Sequence, residues 1–340
     1  MDFDLLYKYQ RVTPFSHHPD FSLQGYQVIT ELGRNQEGGR ITYLAQNLNS
    51  KIKVVIKEFC RTSISVDWSG VKAYEREISI LQKLNHPRIP RYLDFFETPS
   101  KFYLVQEYKN APSLGLKRHF QPEEIKQIAL SVLEILVYLQ EHVSPIIHRD
   151  IKPENILVDE QLNAYLVDFG LAQLADAKTD LTMLVAGTPG FIPPEEHLGK
   201  PLTKASDLYS LGATLICLLT HTRSGDISKL IDENHRFNLQ KLSPQISPQF
   251  RSWLRKMTNC KSSRRYSNAF AALQALKSMQ IIGGSTKINN LWTKFKKLKI
   301  ITILGMGMIG TLFMLGMNLM LYQVSDLIQF KEIHNYQIQD

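Results

Sequence analysis

The spacing of apolar positions changes character after about residue 108, dividing the chain into a strand-rich part and a helix-rich part. Alternation with a period of two over residues 26–29 and 41–45, flanking a glycine-containing turn, predicts two strands, and Lys-Val-Val-Ile-Lys at 53–57 predicts a third. Ile78, Leu81 and Leu84 then recur every three residues, as on one face of a helix, until Asn85-His86-Pro87 stops the pattern. Two more strands are expected near residues 92–96 and 102–107. Beyond them Pro122, Glu123 and Glu124 open a helix whose apolar face is Ile125, Ile128, Val132, Ile135, Leu136 and Leu139. Further helices are expected over 207–219, 250–257 and 269–279, and no internal repeat is evident.

After Gly283-Gly284-Ser285 the composition shifts. Residues 300–322 form an uncharged apolar run of 23 residues, enough to cross a hydrocarbon core of ~30 Å. Lys287, Lys294, Lys296, Lys297 and Lys299 precede that run and only Lys331 follows it. The positive-inside tendency then places everything before the run on the cytoplasmic side, with the last 18 residues, 323–340, outside. Gly305-Met306-Gly307-Met308-Ile309-Gly310 matches GxGxxG in form, but it follows no strand and lies inside the apolar run, so no nucleotide role is expected of it. The small residues Gly307 and Thr311 suit close helix–helix approach as well as ordinary contact with lipid.

Net charge matters chiefly through its location. The formal +8 is concentrated in the lysines ahead of the apolar run, which points to a membrane surface and away from a nucleic-acid partner. The three cysteines, Cys60, Cys217 and Cys260, are widely spaced with no CxxC pair, which disfavours a disulfide framework or a zinc site and fits a reducing compartment. Met1-Asp2-Phe3-Asp4 is acidic and no apolar stretch follows, so no secretory signal is expected. His17-His18 lacks further ligands at a spacing that would complete a metal site.

The densest chemistry lies in His148-Arg149-Asp150-Ile151-Lys152-Pro153-Glu154-Asn155, followed downstream by Asp168-Phe169-Gly170. Asp150 is a carboxylate suited to accept a hydroxyl proton, and Lys152, two residues on, can neutralise a phosphoryl group. Asn155 and Asp168 offer the oxygen donors that a hard cation prefers. The eight-residue string resembles the catalytic loop of protein kinases, and the triplet resembles their metal-binding segment. The ending Gly187-Thr188-Pro189 with Pro193-Pro194-Glu195, and the loop style Gly-Arg-Asn-x-Glu-Gly-Gly-Arg-Ile-Thr-Tyr-Leu-Ala, are most similar to bacterial Hanks-type kinases, the cyanobacterial ones in particular. The resemblance covers residues 26–279.

It implies an α+β, bilobal protein-kinase fold: a five-stranded N-lobe with one helix over 26–108 and a mainly helical C-lobe over 109–279. To this the chain would add an N-terminal extension (1–25), a basic juxtamembrane linker (280–299), one transmembrane helix (300–322) and a short outer tail (323–340). ATP and magnesium are the implied cofactors. Lys57 matches the lysine that holds the α- and β-phosphates, and Glu77 the helix glutamate that pairs with it. Asp150 and Lys152 would be catalytic, and Asn155 and Asp168 would hold magnesium. Val55 and Leu157 would face the adenine, and Glu107 and Lys109 would offer hinge backbone groups to it. Structurally, Glu195 would pair with Arg265, and Asp207 would support the catalytic loop.

The glycine loop, whose Gly33, Gly38, Gly39 and Ile41 the resemblance places against the nucleotide, departs from the family pattern. If Ile41 takes the position of the usual valine, Gly39 is the last glycine, Gly33 requires one inserted residue, the middle glycine is missing, and Gly38 adds a glycine beside Gly39. Glu37 brings a negative charge toward the phosphates, and Val55 stands where a small alanine is usual. Arg149, beside Asp150, is the arrangement that often binds an activation-loop phosphate. Leu184, three residues before Gly187, cannot carry one, which leaves Thr179 and Thr182, of which Thr182 is the expected autophosphorylation site. The expected function is an ATP-dependent, membrane-tethered serine/threonine kinase that transfers the γ-phosphoryl group to protein Ser/Thr hydroxyls. Lys152 is what the resemblance ties to that class, and a homodimer would serve trans-autophosphorylation. The alternative is a catalytically weak pseudokinase acting as a membrane scaffold.

Overall fold

The computed structural model describes residues 18–35, 40–60, 69–116, 119–175 and 187–283. Gly38 and Gly39, the threonines Thr179 and Thr182, and the apolar run 300–322 lie outside them. Among the described residues no helix is long and apolar enough to cross a membrane.

Five antiparallel strands, β1 (Tyr26–Asn35), β2 (Arg40–Asn47), β3 (Lys53–Cys60), β4 (Tyr92–Thr98) and β5 (Lys101–Glu107), pair in the order β1-β2-β3-β5-β4. Alternation gives the sheet two unlike faces. Ile41, Tyr43, Ala45, Val54, Ile56, Tyr103 and Val105 line one face and pack with Phe21 and Tyr26 in an apolar cluster. Phe21 belongs to the segment expected as an extension, yet it is built into this lobe, its ring 4.9 Å from that of Tyr103 and 5.3 Å from that of Phe96. The opposite face carries Val55, Lys57 and Phe59, paired across the ladder with Gln106, Leu104 and Phe102. Phe59, Phe102 and Leu104 pack there with Ile80 and Leu81 of helix α1 (Ser69–Leu81) in the main core.

The helical lobe is organised around α2 (Pro122–Glu141), whose predicted apolar face is wholly buried. The Gln121 backbone N–H donates to the Glu124 carboxylate at 2.7 Å, half of a capping box that fixes the start of α2. Short strands frame the catalytic segment: β6 (Ile146–Ile147) ends just before His148, β7 (Ile156–Val158) begins just after Asn155, and β8 (Ala164–Leu166) ends just before Asp168. β7 pairs with β8, and β6 pairs with β9 (Gln173–Leu174).

Among the described residues the lobe has four more α-helices: α3 (Pro194–His197), α4 (Ser206–Leu219), α5 (Pro248–Met257) and α6 (Ala269–Lys277). α5 starts two residues earlier than its apolar pattern, because Ser247 accepts the Phe250 N–H at 3.2 Å as an N-cap. α6 stops at Lys277, two residues short of the expected end. Gly212 lets α4 meet the end of α5 closely, since a Cβ there would stand 2.6 Å from Cγ2 of Thr258. The lobe continues past 279: Ile281 is buried, its carbonyl accepts the Ser247 N–H at 2.7 Å, and Gly283 N–H donates to the Gln245 carbonyl at 2.7 Å. Residues 280–283 therefore belong to the folded lobe and not to a linker.

Candidate active site

Lys57 leaves β3 on the α1 side of the sheet and meets two carboxylates. Its Nζ lies 2.6 Å from Glu77 Oε1 on α1 and 3.1 Å from Asp168 Oδ1. Gln106 of β5 donates to the same Glu77 oxygen at 3.1 Å. Glu77 Oε2 is buried and has no hydrogen-bond partner among the described residues. Burial works against a charged Lys57, but Asp168 and then Glu77 outweigh it and raise its pKa. Burial likewise favours neutral Asp168, yet Lys57 and Arg40 overcome that and hold its carboxyl well below the usual range.

Arg40, the first residue of β2, is part of this cluster. Its Nη1 donates to both Asp168 oxygens, at 3.0 and 3.3 Å, and its guanidinium carbon lies 4.9 Å from the Phe59 ring centroid. Strand phase explains the placement. Thr42 pairs directly with Lys57, so Arg40 and Thr42 share the Lys57 face, whereas Ile41 pairs with Glu58 on the other one. The expectation that Ile41 lines the nucleotide pocket is thus corrected. Ile41 is buried in the outer apolar cluster with Tyr43, and Thr42 is the β2 residue beside Lys57. A one-residue shift in reading a strand exchanges every side chain between faces.

The catalytic segment is held from behind by Asp207 of α4. Its Oδ2 and Oδ1 accept the backbone N–H groups of His148 and Arg149 at 2.8 and 2.9 Å. These bonds hold Arg149 at φ +69°, and Asp168 sits at φ +64°, left-handed conformations that each cost roughly 1 kcal/mol in a non-glycine residue. His148 is buried, its ring 4.6 Å from that of Phe169, with Nε2 3.2 Å from the Val167 carbonyl oxygen. Burial lowers the His148 pKa and raises that of Asp207.

Asp150 presents one oxygen and anchors the other. Its Oδ2 accepts from Asn155 Nδ2 at 2.7 Å and lies 2.9 Å from Lys152 Nζ, which leaves Oδ1 as the oxygen to meet an incoming hydroxyl. Asn155 Nδ2 also donates to the Asp150 carbonyl at 2.8 Å, so the side-chain oxygen is what Asn155 offers a cation. That oxygen and the Asp168 carboxylate form a hard, two-residue donor set. It fits magnesium, which keeps most of its shell for water and phosphate, and among the described residues no cluster of three or more His, Cys, Asp or Glu forms a denser metal site.

Around the adenine position the picture is mixed. Val55 lies on the Lys57 face, and Leu157 is half-exposed between buried Ile156 and Val158 on β7. Gly33 pairs with Thr42, which puts it level with Lys57 across the sheet, and a Cβ there would meet nothing within 4 Å. The side chains of Glu107 and Lys109 are already engaged: Lys109 Nζ lies 2.8 Å from Glu107 Oε1 and donates to the Pro87 carbonyl at 2.8 Å. Only their backbones are left for a ligand, and the Glu107 N–H is used by the Arg91 carbonyl at 2.9 Å.

The structural ions behave differently. Arg265 grips Glu195 with two parallel bonds of 2.7 Å, and Ser206 Oγ adds a third at 2.8 Å, as the sequence suggests. Burial opposes ionised Glu195, and Arg265 outweighs it to lower the pKa. Arg149 is spoken for within the fold: its Nε and Nη2 donate to Glu196 Oε1, the former at 3.0 Å, and Nη1 donates to Gln173 Oε1 at 3.2 Å. Burial raises the Glu196 pKa even so. Sequence reasoning missed Arg40, Gln106 and Glu196. A polar residue directly after the apolar run Phe102-Tyr103-Leu104-Val105, still inside β5, is the one signal that could have flagged Gln106.

Comparison with known proteins agrees with this geometry. The model of the protein kinase domain family matches residues 26–279. Serine/threonine-protein kinase B of Synechocystis sp. is 37% identical over 222 residues, which cover 60% of this chain and 37% of the relative. Serine/threonine-protein kinase D of the same organism is 33% identical over 271 residues, 76% of this chain and 52% of the relative. Serine/threonine-protein kinase C is 32% identical over 275 residues, 74% and 49% respectively. The chain therefore spans about half the length, or less, of these relatives.

Proposed function

The chain belongs to the protein kinase family, and from that premise we propose that it is a serine/threonine kinase transferring the γ-phosphoryl group of ATP to protein hydroxyls. The observation that carries the reading is Asp150, braced by Lys152 and Asn155 at 2.9 and 2.7 Å, in a chain that also sets Lys57 between Glu77 and Asp168. When bound, ATP supplies the phosphoryl group and magnesium neutralises charge on it. Asp150 Oδ1 orients the acceptor hydroxyl and takes its proton. Lys152 offsets charge on the transferring group, Lys57 holds the inner phosphates, and Asn155 and Asp168 lend oxygens to the metal. Val55 and Leu157 line the base, with the backbones at Glu107 and Lys109 at its edge. Asp150→Asn should reduce label transfer from ATP to a basic test protein by about 10³-fold. Equal transfer by wild type and Asp150→Asn would overturn the reading.

Residues 300–322 are proposed to tether this kinase to a membrane, with 323–340 outside. Their uncharged composition and the lysines before them support this. Carbonate-resistant membrane association that is lost when 300–322 are deleted is the expected result; recovery of the intact chain in the supernatant would exclude the tether. Thr182 is the proposed autophosphorylation site, and mass spectrometry after incubation with ATP finding it unmodified would remove that assignment.

A further inference from the structure

We propose that Arg40 is a phosphate-binding residue of the nucleotide site, held on Asp168 until a metal–nucleotide complex displaces it. The inference rests on the kinase reading above and adds to it a residue outside the family's usual set.

The geometry makes Arg40 an occupant of the metal position. Nη1 lies 3.0 and 3.3 Å from the two oxygens of Asp168 and so covers both. A magnesium ion needs a carboxylate oxygen at about 2.0–2.1 Å, and a guanidinium bonded to both oxygens competes with it for that position. The space for Arg40 is itself specific. A Cβ at Gly170 would come within 3.2 Å of Arg40 Nη2, and Phe59 lies beneath the guanidinium carbon at 4.9 Å.

Charge dictates where Arg40 goes. Lys57 and Arg40 balance Glu77 and Asp168, so the site is neutral before ligand arrives. A polyphosphate with a divalent ion adds net negative charge, which keeps Arg40 in the pocket and does not expel it. Its planar fork suits phosphate oxygens, and its position at the first residue of β2 puts it beside the loop that carries Gly38 and Gly39. Arg40 brings to that side of the sheet a second positive charge beside that of Lys57.

Two opposite binding changes test the assignment on the full-length chain. Calorimetry with magnesium·ADP should show about tenfold weaker binding to Arg40→Ala than to wild type. Manganese alone, titrated by electron paramagnetic resonance, should bind Arg40→Ala several-fold more tightly, because Asp168 then keeps only Lys57, on Oδ1. Arg40→Lys, which keeps the charge without the fork, should lose less magnesium·ADP affinity than Arg40→Ala, and thermal unfolding of both variants checks that they fold. A purely structural role would weaken both ligands together. Magnesium·ADP binding to Arg40→Ala as tight as to wild type, or manganese binding no tighter, overturns the proposal. Wild type that binds no magnesium·ADP would instead defeat the kinase reading, and the proposal with it.

Discussion

Glu195 and Asp207 in the helical lobe, and Glu77 and Asp168 beside the sheet, are four buried or half-buried carboxylates that differ in how fully their oxygens are used. Arg265 and Ser206 take both oxygens of Glu195, and two backbone N–H groups take both oxygens of Asp207. At the sheet, Glu77 Oε2 has no partner among the described residues, while two cations share Oδ1 of Asp168, whose side chain is 27% exposed. A buried ion pair satisfied on every side has no favourable exchange to make and serves as framework. A set with one orphan oxygen and one crowded carboxylate is arranged for partners that arrive later. Among these four carboxylates, the two completed by the chain itself serve as scaffold and the two left open belong to the site.

The largest effect should come from Asp168→Asn. Phosphoryl transfer is expected to fall by about 10³-fold, against a stability change of roughly 1–2 kcal/mol in urea unfolding. A stability loss large enough to account for the lost activity would erase the distinction between the two groups. Arg265→Met should do the reverse, costing about 3–5 kcal/mol of stability by stranding Glu195, with kcat/KM of the folded fraction within about threefold of wild type. A smaller effect on activity is expected for Glu77→Gln: roughly a tenfold loss in kcat/KM for ATP, with a stability cost of about 1–3 kcal/mol, held down because Asp168 still pairs Lys57, readable by paired kinetics and unfolding.

The mildest test is pH. Burial keeps His148 neutral by holding its pKa below the ordinary 6.5. Its folded value is depressed, so its contribution is present above pH 6.5 and is lost as pH falls through the folded value, the unfolded chain taking up the proton first. Stability should therefore decline from pH 7 toward 5, at up to ~1.4 kcal/mol per pH unit for this group. His148→Gln should flatten that slope, and an unchanged slope would mean that other groups set it.

The periodic signals carried far. The five strands, α2 and the later helices follow from spacing and caps, and Lys57, Glu77 and Asp168 come together through residue types that match a known arrangement. What spacing could not settle was strand phase next to an irregular loop. Counting glycines assigned Ile41 to the pocket, whereas the pairing of Thr42 with Lys57 fixes the phase and turns Ile41 outward. The same shift hid Arg40, which reads in isolation as a surface cation. The departure of the glycine loop from its pattern and the unforeseen arginine are two sides of one local change.

Phe21 shows that this folding unit reaches beyond the part that aligns with other kinases. Similarity to other kinases starts at residue 26, but the Phe21 ring stands edge-on to Tyr43, Phe96 and Tyr103, and Phe21 is 4% exposed. A chain trimmed to the alignment would open a hollow in the sheet's outer layer and forfeit about 3–5 kcal/mol. With Ile281 sealing the far end in the same way, the smallest piece that should express as a well-behaved kinase domain runs from before Phe21 to Gly283.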